Sequence, residues 1–253
     1  MTNEDEKIKT AAEFIKKSKY LVSFTGAGVS VESGVPAFRG EGGLWTQYDP
    51  KVLDIDYFMK YPEKSWPVII EIFYQYMGKA KPNAAHLILA KWEKKSLLKK
   101  IITQNIDNLH YEAGNRNIVE FHGNTRNLIC LNCGKVYKVD KKLFENIPPR
   151  CSACQSILKP DFVFFGEAIP VEAYSDSIQA AQKCDVLIVI GTTGEVMPAN
   201  LIPELAKNNG ARVIEINPRI SEHTQAVTDV FLPMKATEAM IALDEAIYSS
   251  SAE

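Results

Sequence analysis

The sequence predicts an α/β protein with a parallel sheet covered by helices on both faces, and with a small lobe attached to it. Short apolar runs typical of buried strands alternate along the chain with helical segments, which is the pattern of a parallel sheet. An aromatic-rich stretch at residues 40–82 and a cysteine-containing stretch at residues 130–154 interrupt this alternation. We expect these two stretches to form the small lobe.

The first predicted element is an amphipathic helix at residues 5–18, where apolar residues recur at helical spacing among lysines and glutamates. The next run, residues 20–24, is apolar and stops at Gly26, as expected for a buried strand followed by a tight turn. The remaining predictions are strands at 100–103, 185–190, 212–216 and 230–232, a strand-like run at 162–165, helices at 84–95 and 199–208, and a helical insertion over 40–82.

Length and charge limit the classes of function. The 253 residues, 46% of them hydrophobic, suffice for one large core with a small satellite. A net charge of −2 gives no excess of positive charge that would bind a phosphate backbone, so we expect no direct binding of nucleic acid. No run of eighteen apolar residues is present, and the acidic N-terminus lacks the features of a signal peptide. We therefore expect no membrane association and a cytoplasmic location.

Four of the five cysteines fall in two CxxC pairs, Cys130 with Cys133 and Cys151 with Cys154, separated by 17 residues. Two such pairs at this separation are typical of a tetrahedral zinc site, although unligated thiols or two disulfides remain alternatives. Four sulfur ligands leave no open position for a substrate, so a zinc ion here would be structural. The fifth, Cys184, is predicted to be a small buried residue.

A glycine-containing turn follows the first predicted strand. Gly26 and Gly28 would let the backbone approach a pyrophosphate, but Val31 stands at the third glycine position of a dinucleotide fingerprint, and a plain tight turn is an equal alternative. In the next loop, Phe38 and Arg39 indicate either a flap that covers a flat ring and meets an anion, or a buried ring beside a surface charge.

Polar side chains also follow the strand at residues 100–103. Gln104, Asn105 and Asp107 lie at its carboxyl end, where open α/β sheets bind ligands, although they could equally form a capped turn. His122 suits general-base catalysis near neutral pH, but a lone histidine is more often a packed or surface residue. Asn217, at the end of another strand, could reach a ribose.

Taken in order from about Tyr20 to Leu232, these motifs resemble the sirtuin family in its prokaryotic type, archaeal or bacterial. The motifs are Gly-Ala-Gly-Val-Ser at 26–30, Phe-Arg-Gly at 38–40, Thr-Gln-Asn-Ile-Asp at 103–107, His-Gly at 122–123, the four cysteines, and Phe-Gly-Glu at 165–167. The resemblance implies a Rossmann-like NAD-binding domain (1–40, 83–125 and 160–253), a helical module (41–82) and a zinc-binding module or zinc ribbon (126–159). NAD and an acetyl-lysine peptide would meet between domain and lobe.

The resemblance also implies the site residues, position by position. His122, Asn105 and Asp107 would be catalytic. NAD would contact Ala27, Gly28 and Ser30 at its phosphates, and also Val35, Phe38, Arg39, Gln104, Asn105, Ile106, Asp107, Thr192, Thr193, Asn217 and Ala236. The substrate would add as an extended strand between two strands, one with Val163, Phe164, Phe165, Gly166 and Glu167, the other with Gly194, Glu195 and Val196. One structural Zn²⁺ would be bound by Cys130, Cys133, Cys151 and Cys154.

The implied reaction is NAD-dependent deacetylation of lysine on acetylated proteins. Nicotinamide would leave C1′ of the ribose, the acetyl oxygen would capture that carbon, and His122 would remove a ribose hydroxyl proton as general base. The products would be deacetylated lysine, nicotinamide and O-acetyl-ADP-ribose. The alternatives are mono-ADP-ribosyl transfer, removal of longer neutral acyl groups, and a zinc-bearing NAD-binding module without activity.

The chain departs from the family pattern at Ala37, Thr193 and Gly194, where the family commonly has Asp, Ser and an apolar residue. Sirtuins that remove succinyl or malonyl groups resemble one another in a Trp-x-x-Tyr-x-x-Arg pattern of the helical module, in which the Arg pairs with the acyl carboxylate. Counted from Trp66, Ile69 and Ile72 occupy the places of that Tyr and Arg in this chain. We therefore expect a preference for neutral acyl groups.

Overall fold

The computed structural model describes residues 2–38 and 42–248. The nine strands that it describes are β1 Leu21–Thr25, β2 Leu98–Thr103, β3 Ile118–Glu120, β4 Gly123–Cys130, β5 Val136–Lys138, β6 Leu158–Phe162, β7 Val186–Ile190, β8 Arg212–Ile216 and β9 Val230–Leu232. The α-helices in the same part of the chain are α1 Asn3–Lys17, α2 Ile55–Lys60, α3 Pro62–Ile69, α4 Ala84–Lys94, α5 Leu109–Ala113, α6 Val171–Lys183, α7 Leu201–Asn208, α8 Glu222–Ala226 and α9 Ala236–Tyr248.

Six strands form the central sheet in the order β3-β2-β1-β7-β8-β9, and every neighbouring pair is parallel. The chain builds outward from β1 on one side and from β7 on the other. The order therefore reverses between β1 and β7, and ligands of open α/β sheets bind at the carboxyl ends of strands around such a reversal. All residues of β1 and β7 are buried, as expected for strands covered on both faces.

Helices cover both faces of this sheet. One face packs against α1, α4 and α9 through a core that includes Ile15, Trp92 and Leu243. The other face packs against α6 and α7, with Ala181 and Ile202 in its core. The predicted parallel α/β sheet is thus confirmed.

The small lobe combines a three-stranded antiparallel sheet, in the order β5-β4-β6, with the helices of residues 50–79. These helices comprise α2, α3, a π-helix over Ile70–Tyr76 and short 3-10 turns at Pro50–Leu53 and Met77–Lys79. Helices and sheet share one hydrophobic core, in which Trp66 is fully buried and its indole N–H donates to the Leu158 carbonyl at 3.0 Å. The two interrupting stretches therefore form one lobe, as expected.

The structure differs from the sequence-based prediction at residues 162–165. The strand β6 ends at Phe162, and residues 163–167 form a turn instead, because the Phe164 N–H is bound by the Glu167 carboxylate at 2.7 Å. The three-residue strands β3 and β5 and the eight-residue strand β4 were not predicted from the sequence. No helix in the described part of the chain is long and apolar enough to cross a membrane.

Candidate active site

A cleft of about 1170 Å³ opens at the carboxyl ends of β1 and β7, between the central sheet and the small lobe. Residues from both parts of the molecule line it. Of the positions implied by the resemblance, the cleft is lined by Ala27, Gly28, Phe38, Gln104, Asn105, Ile106, His122, Val163, Phe164, Phe165, Gly166, Glu167, Thr192, Thr193, Val196, Asn217 and Ala236.

The glycine turn after β1 makes its closest contact with another turn of the same chain. The Gly28 N–H donates to the Gly191 carbonyl at 2.8 Å, and a Cβ built on Gly28 would lie 2.5 Å from the Gly191 Cα. Gly191 itself has φ of +63°, a conformation that favours glycine. The two turns that follow β1 and β7 can therefore touch only because both positions lack a side chain.

His122 is the one of the four histidines that is partly exposed, since His86, His110 and His223 are buried. Its Nδ1 lies 3.0 Å from the Gln104 carbonyl oxygen. A carbonyl only accepts hydrogen bonds, so Nδ1 carries the proton and Nε2 is left with its lone pair. Burial lowers the pKa of His122 below its ordinary value, against a smaller upward effect of the Gln104 hydrogen bond. The ring is therefore neutral at pH 7 and able to accept a proton.

A buried polar network lies next to the cleft. Ser30 donates to Asp107 Oδ2 at 2.6 Å, and the Asn105 side-chain amide lies 3.2 Å from both Ser30 Oγ and Asp107 Oδ2. Burial raises the pKa of Asp107, although the donors around it act in the opposite direction. Ser30 is fully buried and does not line the cleft, so its hydroxyl orients Asp107 in the structure described.

His86 extends this network, and sequence reasoning missed it. Its Nε2 lies 3.4 Å from Ser30 Oγ, and its ring packs against that of His110 with centroids 4.8 Å apart. Asn83 holds His86 through the capping box at the start of α4. An Asn three residues before a histidine at a helix start is the signal that could have indicated a fixed imidazole here.

A second, small cavity adjoins the cleft. Its lining is Ala27, Val35, Phe38, Met77, Asn105, Ile106 and Asp107. Val35 and Asp107, which do not line the main cleft, therefore face this cavity. Arg39, the neighbour of Phe38 in the sequence, lies outside the described residues.

The two segments implied for the peptide are turns in the structure. Residues 163–167 are held by the lobe, because the Phe165 N–H donates to the Leu53 carbonyl at 2.8 Å and the Phe165 carbonyl accepts from Ile55 N at 3.0 Å. Phe165 also packs on Trp45, which in turn packs on Phe38, with ring centroids 6.0 and 5.5 Å apart. Trp45 thus connects the loop that carries Phe38 to residues 163–167, a contact that the sequence did not indicate.

The segment 194–196 is also not a strand, because Gly194 has φ of +81°. A Cβ at Gly194 would lie 2.9 Å from the Glu222 Cβ and 3.1 Å from His223 Nε2. An apolar side chain, common in the family at this place, would collide with α8. Of this segment Val196 lines the cleft, whereas Gly194 and Glu195 do not.

Ile69 and Ile72, which the sequence associated with acyl selection, are 0% and 1% exposed and belong to the core of the small lobe. Neither lines the cleft. Their apolar character is explained by packing around Trp66, so the argument for neutral acyl groups needs other residues.

The four cysteines of the two CxxC pairs converge at the tip of the small lobe. Their sulfur atoms all lie within 4.8 Å of one another, with Cys130 to Cys154 at 3.5 Å and Cys133 to Cys151 at 3.6 Å. Tetrahedral zinc with Zn–S bonds of 2.3 Å separates its sulfur ligands by roughly 3.8 Å, whereas a disulfide needs about 2.05 Å. The donor set and spacing therefore fit one zinc ion. Cys184 is buried elsewhere, as predicted.

Comparison with known proteins identifies the family. Residues 26–198 match the Sir2 family. The chain belongs to the Sir2 family. A relative from Thermococcus sibiricus, named NAD-dependent protein deacylase, is 44% identical over 93% of this Sir2-family chain and 94% of its own length. A relative from Thermodesulfovibrio yellowstonii, named NAD-dependent protein deacetylase, is 45% identical over 84% of both chains.

Solved Sir2 structures share the whole fold. A complex of Sir2 with a p53 peptide and NAD⁺ is 35% identical to this Sir2-family chain, with a TM-score of 0.86 over 94% of this chain and 98% of the other. The agreement covers both the sheet and the small lobe, because so little of either chain is left unmatched.

Proposed function

We propose that this Sir2-family protein removes acetyl groups, and other neutral acyl groups, from lysine side chains of proteins in a reaction that consumes NAD. One observation carries the proposal: a single cleft brings His122, with its free Nε2, together with Gln104, Asn105 and the glycine turn. The relatives named deacylase or deacetylase, and the Sir2 complex with peptide and NAD⁺, support the same activity.

The described residues fit NAD as the co-substrate. A dinucleotide needs a long cleft with a close backbone approach, and the glycine turn lines the cleft with main chain that packs on Gly191 without an intervening side chain. We assign the phosphates to Ala27 and Gly28, and the adenosine half to Thr192, Thr193, Asn217 and Ala236. The Asn217 amide already donates to the Thr192 carbonyl at 2.9 Å, which fixes both turns beside each other.

We assign the nicotinamide side to the residues around the small cavity, which has a volume of only about 10 Å³ and would have to widen to admit the ring. Asn105 and Asp107 present an amide and a carboxyl group there, and these groups can pair with a carboxamide. Val35, Phe38 and Ile106 complete an apolar wall for a flat ring. We include Arg39 and Ser30 in the cofactor site on the resemblance alone, Ser30 acting through its hydrogen bond to Asp107.

His122 would act as general base. When bound, NAD supplies an electrophilic ribose carbon for the acyl oxygen. The ribose hydroxyl groups of NAD carry the protons that a base can remove. The Gln104 carbonyl holds the His122 ring so that only Nε2 can accept such a proton. Phe38, Ile106 and Phe165 line the same cleft and exclude water from a centre that water would otherwise hydrolyse.

The peptide would add as an extended chain between residues 163–167 and 194–196. Main-chain pairing of this kind gives affinity with little selectivity for side chains. The zinc ion would stabilise the lobe, which holds the first segment through Leu53 and Ile55. We also propose that the chain divides into an NAD-binding domain (1–40, 83–125 and 160–253), a helical module (41–82) and a zinc module (126–159). The proposed location is the cytoplasm, where cysteines stay reduced and can bind zinc as thiolates. The proposal includes no binding of nucleic acid or membrane.

The test is mass spectrometry of an acetyl-lysine peptide incubated with the protein, with and without NAD. We expect deacetylated peptide and O-acetyl-ADP-ribose in equal amounts, only when NAD is present. Peptide or protein that gains ADP-ribose while keeping its acetyl group would instead indicate mono-ADP-ribosyl transfer. A chain that binds NAD without either product would be a binding module, and the proposed activity would be wrong.

A further inference from the structure

Lys159 is a buried lysine whose partners all belong to β6 or to the turn that follows it. Its residue surface is 3% exposed. The ammonium Nζ donates to the carbonyls of Phe162 at 2.6 Å and Pro160 at 2.9 Å, and it lies 3.0 Å from Glu167 Oε2. It also lies 4.3 Å from the centroid of the Phe164 ring. Burying an ammonium is costly unless it is paired and hydrogen-bonded, and here it is both.

The same Glu167 oxygen closes the turn. Glu167 Oε2 accepts the Phe164 N–H at 2.7 Å, while the Glu167 N–H donates to the Phe164 carbonyl at 3.0 Å. Lys159 therefore binds one end of the turn through Phe162 and the other end through Glu167. Between these ends lie Val163 and Phe165, whose side chains line the cleft.

Stability alone gives no reason for this arrangement. Burial lowers the pKa of Lys159, and Glu167 only partly opposes that effect. Replacing a buried ion pair by apolar residues of similar volume is often neutral or stabilising. A methionine would fill much of the space without desolvating a charge. The specific gain from the ammonium is geometric, since it has several donors and draws two carbonyls and a carboxylate to one point.

We propose that Lys159 is a positioning residue, whose buried ammonium fixes the turn 162–167 in the shape that receives the acyl-lysine peptide. The inference rests on the proposed function, because it assigns a role within the peptide site. Lys159 itself does not line the cleft and acts through Glu167 and the main chain of the turn. Small displacements of a binding segment are expensive, and about 1 Å can cost on the order of a hundredfold in rate.

Kinetics of Lys159→Met test the role, with acetyl-peptide and NAD varied separately. We expect the KM for the peptide to rise roughly tenfold or more, because the turn loses its fixed shape. The KM for NAD and the zinc content should stay close to those of the parent protein. Lys159→Arg keeps the charge and should recover part of the peptide KM. Lys207→Met is the matched control, because Lys207 pairs with Asp229 at 2.7 Å away from the cleft.

Glu167→Gln gives a second route that does not depend on folding of the Lys159→Met protein. It keeps an acceptor for the Phe164 N–H but removes the charge, so the peptide KM should rise in the same direction. If Lys159 acts through Glu167, Lys159→Met should have a smaller effect in the Glu167→Gln background than alone.

Three results would overturn the role. The first is an unchanged peptide KM in Lys159→Met, and the second is an equal rise in both KM values without rescue by Lys159→Arg. The third is a parent protein that consumes no NAD with acetyl-peptide, which removes the proposed function and the positioning role with it. An active parent with an unaffected Lys159→Met variant would remove the positioning role alone.

Discussion

At the scale of single residues, the burial of the other three histidines leaves His122 as the candidate general base. All four histidines could in principle titrate near neutral pH, but three are buried in networks or cores away from the cleft surface. Burial lowers the pKa of His86 to about 4 and that of His110 well below its ordinary value. These two rings are neutral parts of the structure, whereas His122 has a free Nε2 beside the cleft.

The first prediction is that His122→Ala loses deacetylation by at least ~100-fold, the low end for removing a general base. NAD binding should persist, because the glycine turn and Asn217 remain. Turnover can be measured by mass spectrometry of the peptide, and NAD affinity by calorimetry. Near-parental turnover in the variant would show that another group removes the proton.

The second prediction concerns the pH profile of kcat/KM, which reports the free enzyme. The proposed mechanism requires neutral His122, and burial lowers the pKa of His122. At pH 6.5, the ordinary pKa of histidine, the rate should therefore still be close to its plateau. The rate should fall only at lower pH, where His122 becomes protonated. An acid limb centred above pH 6.5 would contradict this assignment of the base.

At the scale of elements, the close contact between the turns after β1 and β7 leaves no room for a side chain at Gly28. The third prediction is that Gly28→Ala destabilises the protein by about 1–3 kcal/mol, as overpacking does, and raises the KM for NAD. The added Cβ would lie 2.5 Å from the Gly191 Cα. Gly78→Ala is the control, because its Cβ would meet nothing closer than the Phe73 carbonyl at 3.9 Å. Equal thermal unfolding and equal NAD KM in both variants would refute the constraint.

Strands that form from a continuous apolar run could be predicted from the sequence, whereas strands and turns that depend on contacts with distant residues could not. The strands β8 and β9 were predicted with their observed bounds, and β1 and β7 within one residue, because they are buried apolar runs. β4 escaped prediction because it carries Asn, Thr and Arg among its apolar residues and is stabilised by pairing with β6. Residues 163–167 looked like a strand, but tertiary contacts from Lys159 and Leu53 bend them.

The candidate site shows the same division. The spacing of the four cysteines predicted a metal site, whereas the glycine turn and His122 were singled out by the resemblance to sirtuins and not by any spacing of their own. His86, Lys159 and Trp45 were not, since they act through partners 56, 8 and 120 residues away along the chain, respectively. For His86 the only local signal is Asn83 at the start of its helix, and no local pattern indicates the contacts of Lys159 and Trp45.

The fourth prediction is that Cys130→Ala releases zinc and destabilises the small lobe, because binding energy at structural zinc sites is folding energy. Cys130 is buried in the core that the zinc cluster shares with the helices. Cys184→Ala is the matched control, since Cys184 lies outside the cluster. This variant should lose only about 1 kcal/mol of unfolding free energy and should keep its metal. Metal analysis with thermal unfolding checks both variants. A folded, fully active, metal-free Cys130→Ala protein would refute a structural zinc.

At the scale of the whole molecule, the cleft exists only where two bodies meet. The central sheet contributes the turns after β1, β2 and β7, and the small lobe contributes Trp45 and Leu53. The turn 162–167 connects them, because it follows β6 and is held by the 3-10 turn at Pro50–Leu53. If the peptide binds at this turn as proposed, its binding is coupled to the position of the lobe, and a change deep in the lobe should alter peptide affinity without touching the peptide.

The last prediction is acyl selectivity, argued from the whole lining of the cleft. The charged side chains among its described lining residues are Glu32, Glu167 and Lys235. Lys235 adjoins Ala236 at the proposed adenosine end, so a succinyl carboxylate beside His122 would meet no cation among the described lining residues and would face Glu167. A desolvated charge without a partner is costly, and a site that leaves it unpaired discriminates against it. We expect kcat/KM on one peptide to be at least about tenfold higher for acetyl-lysine than for succinyl-lysine, with myristoyl-lysine tolerated. Faster removal of succinyl than of acetyl groups would contradict the preference for neutral acyl groups.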